Sequence, residues 1–423
     1  MLQVSFISEN KETVLHGLQK RNFPNPGIVD SVLELDARRR QTQSALNDLQ
    51  SENNRLSKEI GELFRTGKQA EAETLRQQVT QSKEDLKTLT AQLEATETQL
   101  EELLISIPNI PHQSVPFGKT ADDNEVFRAW PKPLPDLPES ALPHWELAVK
   151  YNIFDLELGT KLTGSGFPVF RGKGAKLERS LINFFLDENT RAGYEEILPP
   201  LMVNADTARG TGQLPDKEAQ MYYVERDDLY LIPTSEVPVT NIYRDTIFDE
   251  SELPKKMTAY TPCFRREAGS YGAHVRGLNR VHQFDKVEIV RLEHPDRSYA
   301  ALEEMLAHVS GILDKLELPY RILRLCGGDM GFTSALTFDF EVFSAAQKKW
   351  LEVSSVSNFE TFQSYRMKIR YRDGKKTQLV HTLNGSSIAL ARIVAALLEN
   401  NQTAEGILVP KALRPYTGFE IIG

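Results

Sequence analysis

Residues 258–290 run TAYTPCFRREAGSYGAHVRGLNRVHQFDKVEIV, a pattern of two strands joined by a glycine-rich loop. β-Branched and aromatic residues flank a central run that holds Gly269, Gly272 and Gly277. Strand side chains alternate between faces, so Arg265 and Glu267 are expected on one face of the first strand, and Phe284, Lys286 and Glu288 on one face of the second. If those faces coincide, one wall carries a guanidinium fork, an aromatic plane and two carboxylates. A guanidinium matches phosphate oxygens, a ring stacks on a base, and a carboxylate accepts from an amino group. A nucleotide together with an amino acid would ask for that set. The plainer reading is an amphipathic hairpin with solvated ion pairs, so the rest of the chain must decide.

With 423 residues, 40% of them hydrophobic, the chain has room for two or three domains with a sizeable core. Its two cysteines, Cys263 and Cys326, cannot supply a disulfide framework or a cysteine-rich zinc site. Acidic residues near Met1, and the lack of any apolar run of about 18 residues, point to a cytoplasmic protein without a membrane span. A net charge of −9 argues against wholesale coating of nucleic acid, DNA included, while leaving room for a local basic face.

The first 25 or so residues look like a small cap. A heptad pattern then runs through Val32, Leu35, Leu46, Leu49, Leu56, Ile60 and Leu63, and a second through Ala72, Leu75, Val79, Leu86, Leu89, Leu93, Leu100 and Leu103. Arg65-Thr66-Gly67-Lys68 between them is a hairpin tip, which predicts an antiparallel two-helix coiled coil roughly 50 to 60 Å long. Such an arm either dimerises or reaches a large shaped partner such as a structured RNA. Seven prolines between Pro108 and Pro138 mark a connector. Beyond it, Gly164-Ser165-Gly166-Phe167-Pro168 should open a strand-rich section, and residues 174–191 form an amphipathic helix followed by a strand and Pro199. Thr234-Ser235-Glu236 at a strand end suits either a ligand site or a helix N-cap. Further on, Glu352-Val353-Ser354-Ser355 ends a strand. Asn384-Gly385-Ser386-Ser387 leads into a helix expected from residue 388, where Arg392 among apolar neighbours wants an anionic partner.

Together these segments resemble the seryl-tRNA synthetases, a class II aminoacyl-tRNA synthetase family, over essentially the whole chain. The resemblance rests on the arm, the helix-strand-proline of motif 1 ending at Pro199, the Thr234-Ser235-Glu236 segment, motif 2 at Phe264-Arg265-Arg266-Glu267, the Glu352 to Ser355 strand and motif 3 from Asn384 to Arg392. It implies an α+β fold: a cap and tRNA-binding arm over residues 1–107, a proline-rich connector over 108–143, and a class II catalytic domain over 144–423, an antiparallel sheet flanked by helices. It implies a homodimer that activates L-serine with ATP and Mg²⁺ and transfers it to tRNA(Ser), and to tRNA(Sec) where present. By that resemblance Arg265 bridges the α-phosphate and the serine carboxylate, Glu267 accepts from the adenine amino group, and Phe284 stacks on the base. Arg392 lies across the base or on the γ-phosphate. Arg266, Val281, Val353 and Ser354 complete the ATP site, with Glu352 and Ser355 as Mg²⁺ and phosphate ligands. Thr234, Ser235, Glu236, Glu288, Asn384 and Ser386 surround serine, with Arg265 shared.

Two departures stand out. Ser387 replaces a common glycine, which should add a side chain beside the serine pocket. Ala273, His274 and Val275 replace a more polar run in the motif 2 loop. A ligase that loads an amino acid onto a carrier protein is the rival enzyme; it predicts a degenerate arm, whereas the heptads here persist. A coiled-coil assembly protein with a dead synthetase-like domain predicts broken phosphate contacts, whereas Arg265, Glu267, Glu352 and Arg392 are all present.

Overall fold

The computed structural model describes residues 1–216, 218–267 and 276–423. They form two compact units, one of Met1–Gln19 and Phe23–Pro108, the other of Lys20–Asn22 and Asn109–Gly423.

In the first unit, short helices α1 (Val4–Glu9) and α2 (Lys11–Lys20) precede the arm helices α3 (Ile28–Arg65) and α4 (Gln69–Ser106). Each arm helix has 38 residues, about 57 Å at 1.5 Å per residue. The hydrophobic repeat explains the pairing: Val32, Leu46 and Leu56 of α3 and Ala72 and Leu100 of α4 are buried in the seam. Ser82 and Thr96 also fall on seam positions and are buried. The tip closes because Gly67 takes φ +75°, open to glycine without a Cβ penalty, while Thr66 and Lys68 amides cap the Glu62 and Leu63 carbonyls. Several arm cations are held by acids on their own helix, Arg39 and Arg40 by Asp36 and Arg55 by Glu52 and Glu59.

The second unit is built on an eight-stranded sheet: β1 (Glu125–Arg128), β2 (Glu195–Glu196), β3 (Lys255–Phe264), β4 (Gln283–Glu293), β5 (Tyr320–Arg324), β6 (Leu336–Ser344), β7 (Lys349–Glu360) and β8 (His381–Ala389). Their spatial order is β1-β5-β6-β7-β8-β4-β3-β2, antiparallel throughout except for the parallel β2–β3 pair. Helices α5 (His144–Tyr151), α6 (Gly172–Arg191), α7 (Glu236–Asn241), α8 (Ser298–Lys315), α9 (Phe362–Met367) and α10 (Leu390–Asn400) flank it. Leu181 and Phe185 of α6, Met305 and Val309 of α8 and Ile393 and Val394 of α10 join one core with Val287 and Ile289 of β4 and Phe340 of β6. Truncating a fully buried ring such as Phe185 or Phe340 to Ala costs about 3–5 kcal/mol. Because side chains alternate, burying Val287 and Ile289 turns Phe284, Lys286 and Glu288 to the opposite face of β4. Both edge strands are short: all four residues of β1 and both glutamates of β2 are exposed.

Several sequence expectations are corrected. β3 ends at Phe264, so Arg265 and Glu267 lie past the strand; one more bond, Arg265 N to His282 O at 2.9 Å, extends the pairing before Glu267 turns away at φ +48°. The section after Gly164 is not strand-rich, because Val169–Phe170 pairs only with Phe154–Asp155. The last helix starts at Leu390 rather than 388, since Ser386 still pairs with Glu288 and Ala389 with Lys286. Gly269, Gly272, Ala273, His274 and Val275 lie outside the described residues.

Candidate active site

A cavity of about 490 Å³ opens on the face of β4 away from the core. Most of the residues singled out in the sequence line it: Thr234, Glu236, Arg265, Glu267, Val281, Phe284, Glu288, Glu352 to Ser355, Asn384, Ser386 and Arg392. Strand ends and the first turn of α10 bring them there from six separate segments. Two candidates are not in its wall. Arg266 is exposed and its backbone amide donates to Gln220 O at 2.9 Å. Ser235 is fully buried at the start of α7, and its hydroxyl has no partner among the described residues.

At one end, the Arg265 guanidinium sits 5.2 Å from the Phe284 ring centre, with its Nε donating to Pro233 O at 3.3 Å. Among the described residues, stacking and one hydrogen bond fix the fork and leave its other N–H groups for a ligand. Glu267 is held by Arg280 at 2.8 Å. Arg392 donates from Nε to Asn279 O at 2.9 Å and from Nη1 to Glu352 O at 2.6 Å. Its anionic partner is the Glu352 carboxylate at 3.7 Å, a loose pair that a polyanion could displace.

The other end is buried and acidic. Glu288 is 2% exposed and Glu236 8%, with Lys286 reaching Glu288 at 2.5 Å and donating to Thr234 Oγ1 at 2.8 Å. Burial first, then the nearby Glu288 charge, pushes the Glu236 carboxyl up to about 7, opposed by Gln363, Lys286 and Asn384. Gln363 Nε2 donates to Glu236 at 2.7 Å, and Thr382 Oγ1 donates to Gln363 Oε1 at 2.7 Å. Ser386 Oγ is 3.5 Å from Glu288, and Ser354 Oγ donates to Ser386 O at 2.5 Å. Once Glu236 ionises, above about pH 7, two buried acids with one internal cation leave net negative charge, which favours a small cationic group.

Ser387 does not crowd this pocket. Its hydroxyl donates to Asn189 Oδ1 of α6 at 2.9 Å, on the core side of the sheet, because it alternates with Ser386 along β8. Among residues that sequence reasoning did not assign to the site, Lys286 carried a signal, its place on the Phe284–Glu288 face. Gln363 carried none, since it lies on a separate helix and reaches Glu236 only through the fold.

Opposite Ser355 on β6, Asp339 is half-buried with Oδ1 unpartnered among the described residues; desolvation, followed by the Glu352 charge, drives its carboxyl well above the ordinary range, opposed by a hydrogen bond from Ser355. Among those residues no three histidines, cysteines or acids cluster as a metal cage. Nor is any helix long and apolar enough to cross a membrane.

Comparison with known proteins covers the whole chain. Residues 222–401 match the tRNA synthetase class II core domain (G, H, P, S and T), and residues 1–111 match the seryl-tRNA synthetase N-terminal domain. A serine–tRNA ligase of Salinibacter ruber is 52% identical, covering 100% of this chain and 99% of its own length, and one of Chlorobaculum parvum is 46% identical with 100% of both covered. A seryl-tRNA synthetase of Pyrococcus horikoshii complexed with ATP superposes with a TM-score of 0.92 at 33% identity, covering 100% of this chain and 99% of that one. A cytoplasmic serine–tRNA ligase of Naegleria fowleri in complex with AMP gives 0.88 at 29% identity, covering 100% and 98%.

Proposed function

We infer the reaction from a plain premise, that this chain belongs to the seryl-tRNA synthetase family: it activates L-serine with ATP to seryl-adenylate and transfers the seryl group to the terminal ribose of tRNA(Ser). Where a host makes tRNA(Sec), that tRNA is a further substrate. The observation that carries the site assignment is the single cavity in which Arg265, Phe284 and Arg392 face the buried pair Glu236 and Glu288.

Adenylation is an in-line attack of the serine carboxylate on the α-phosphorus of ATP, with pyrophosphate leaving. It needs positioning and charge stabilisation more than a general base. Arg265, held against Phe284, is placed to bridge the α-phosphate and the attacking carboxylate. Phe284 stacks on adenine, Glu267 accepts from its amino group, and Arg392 meets the nucleotide from the α10 side. Val281, Val353 and Ser354 shape the walls, and Arg266, outside the wall, offers charge at the rim. Magnesium fits the other end of the phosphate track: Glu352 and Ser355 supply oxygen only, and Asp339, whose Oδ1 has no partner among the described residues, pairs opposite Ser355 on β6. Mg²⁺ would neutralise charge on the phosphates and be carried largely by them, in keeping with so few protein ligands.

Serine is small, so its recognition must come from buried hydrogen bonds. Glu236, with Thr234, takes the ammonium group, and Glu288 with Ser386 the hydroxyl; Asn384 supports Glu236, and Ser235 backs the strand end. Alanine would leave the Glu288 side unpaired, a penalty on the order of several kcal/mol. The arm is the tRNA-reaching element, motif 1 the contact of a homodimer, and the cytoplasm the setting. ATP–pyrophosphate exchange across all twenty amino acids tests the reading. Exchange driven by serine far above the rest is expected; exchange with another amino acid, or none, would sink it.

A further inference from the structure

Behind the nucleotide end of the cavity lies a buried polar network that no step of the reaction uses. Glu399, on the same helix as Arg392 and two turns further along, is completely buried, as is His144 at the start of α5. Glu399 Oε1 accepts from His144 Nδ1 at 2.7 Å, from the His144 backbone amide at 3.0 Å and from Gln347 Nε2 at 2.8 Å, while Ser344 donates to Oε2. Burial drives the Glu399 carboxyl up, but the bonds from His144 and Ser344 outweigh it and hold the group below its ordinary value, as a carboxylate.

From that anchor two tethers reach the cavity wall. The Leu278 amide donates to His144 Nε2 at 2.8 Å, and Asn279 Nδ2 donates to Gln347 Oε1 at 3.0 Å. The first bond fixes the imidazole: Nε2 accepts, so the proton sits on Nδ1 and points at Glu399. Gly277 is pressed so close to the ring that a Cβ there would lie 2.2 Å from Nε2, and its φ of +71° suits glycine. Leu278 and Asn279 line the cavity, and the Asn279 carbonyl is what Arg392 Nε grips. One carboxylate thus fixes the wall segment and, through α10, the guanidinium that meets it.

We propose that His144 and Glu399 are positioning residues for the nucleotide, holding Leu278 and Asn279 so that Arg392 presents its guanidinium in one place. The inference rests on the reading of this cavity as the ATP site. Neither residue touches substrate; both act by removing alternative placements of Arg392 before ATP arrives.

The full chain and ATP–pyrophosphate exchange provide the test, with KM measured separately for ATP and for serine. His144→Phe, which keeps a ring but offers no acceptor, is expected to raise the KM for ATP about tenfold or more, the worth of one lost buried hydrogen bond, and to leave the KM for serine within about twofold. His144→Gln, which can again accept from the Leu278 amide, should restore most of the loss, a rescue that simple packing would not give. Glu399→Gln, a milder change should the phenylalanine variant not fold, should shift the KM for ATP in the same direction. Unchanged KM for ATP in the folded variants, or equal rises for ATP and serine without rescue by Gln, overturns the proposal. Arg392→Ala separates the two layers. If it abolishes exchange while the His144 and Glu399 variants are normal, only the positioning role fails. If it exchanges normally, the reading of the cavity fails.

Discussion

At Glu236, burial and a neighbouring acid place the carboxyl near neutrality, at about 7. Below that pH the group is protonated and cannot pair with an ammonium ion; above it, it can. The KM for serine should therefore fall as pH rises from 6 to 8, by up to about tenfold per unit on the acid side, while the KM for ATP stays flat. A serine KM insensitive to pH in this window would remove Glu236 from amino-group recognition. Gln363 donates to that carboxylate and lowers its pKa, so Gln363→Leu should move the inflection to higher pH and raise the serine KM at pH 7 by roughly tenfold. Arg265→Ala should abolish exchange at an unchanged melting temperature, because among the described residues the side chain makes one hydrogen bond and a ring contact. Near-normal exchange would exclude it from the chemistry.

Elements with a strong period were legible in the sequence, and their ends were not. The heptads marked both arm helices and their tip because burying a seam demands a fixed repeat over ten turns. Strands β3 and β4 were legible for the same reason, period-two alternation against a core. The end of β3, the start of α10 and the role of Ser387 were not, because each is decided by a partner strand that sequence reasoning does not see. Opposite Val287, β8 carries two residues, Ser387 and Ile388, and Ile388 takes φ +93°. Ser386 faces the cavity through its pairing with Glu288, Ser387 one residue on turns to Asn189, and the bulge absorbs the extra residue before Ala389 pairs with Lys286. Most of the cavity wall was readable as residue types, but Gln363, His144 and Glu399 act through contacts between distant segments. Ser387→Ala should cost about 1 kcal/mol in denaturant unfolding and leave the serine KM unchanged. A large change in that KM would return Ser387 to the pocket.

For the whole molecule, the arm packs as its own unit with its own seam, which makes its removal a clean test. Deleting residues 35–103 with a short linker should leave serine-dependent exchange within about twofold, while aminoacylation of tRNA(Ser) collapses by orders of magnitude. Equal loss of both activities would make the arm a structural support instead. The rims of the sheet bear on a different matter. An open antiparallel sheet offers unpaired amides at each margin, an invitation to fibril-like growth. Here one margin is only Glu195–Glu196 and the other a four-residue strand bounded by Glu125 and Arg128. Charge and brevity deny an incoming chain its register, so neither margin is a template for edge-to-edge growth.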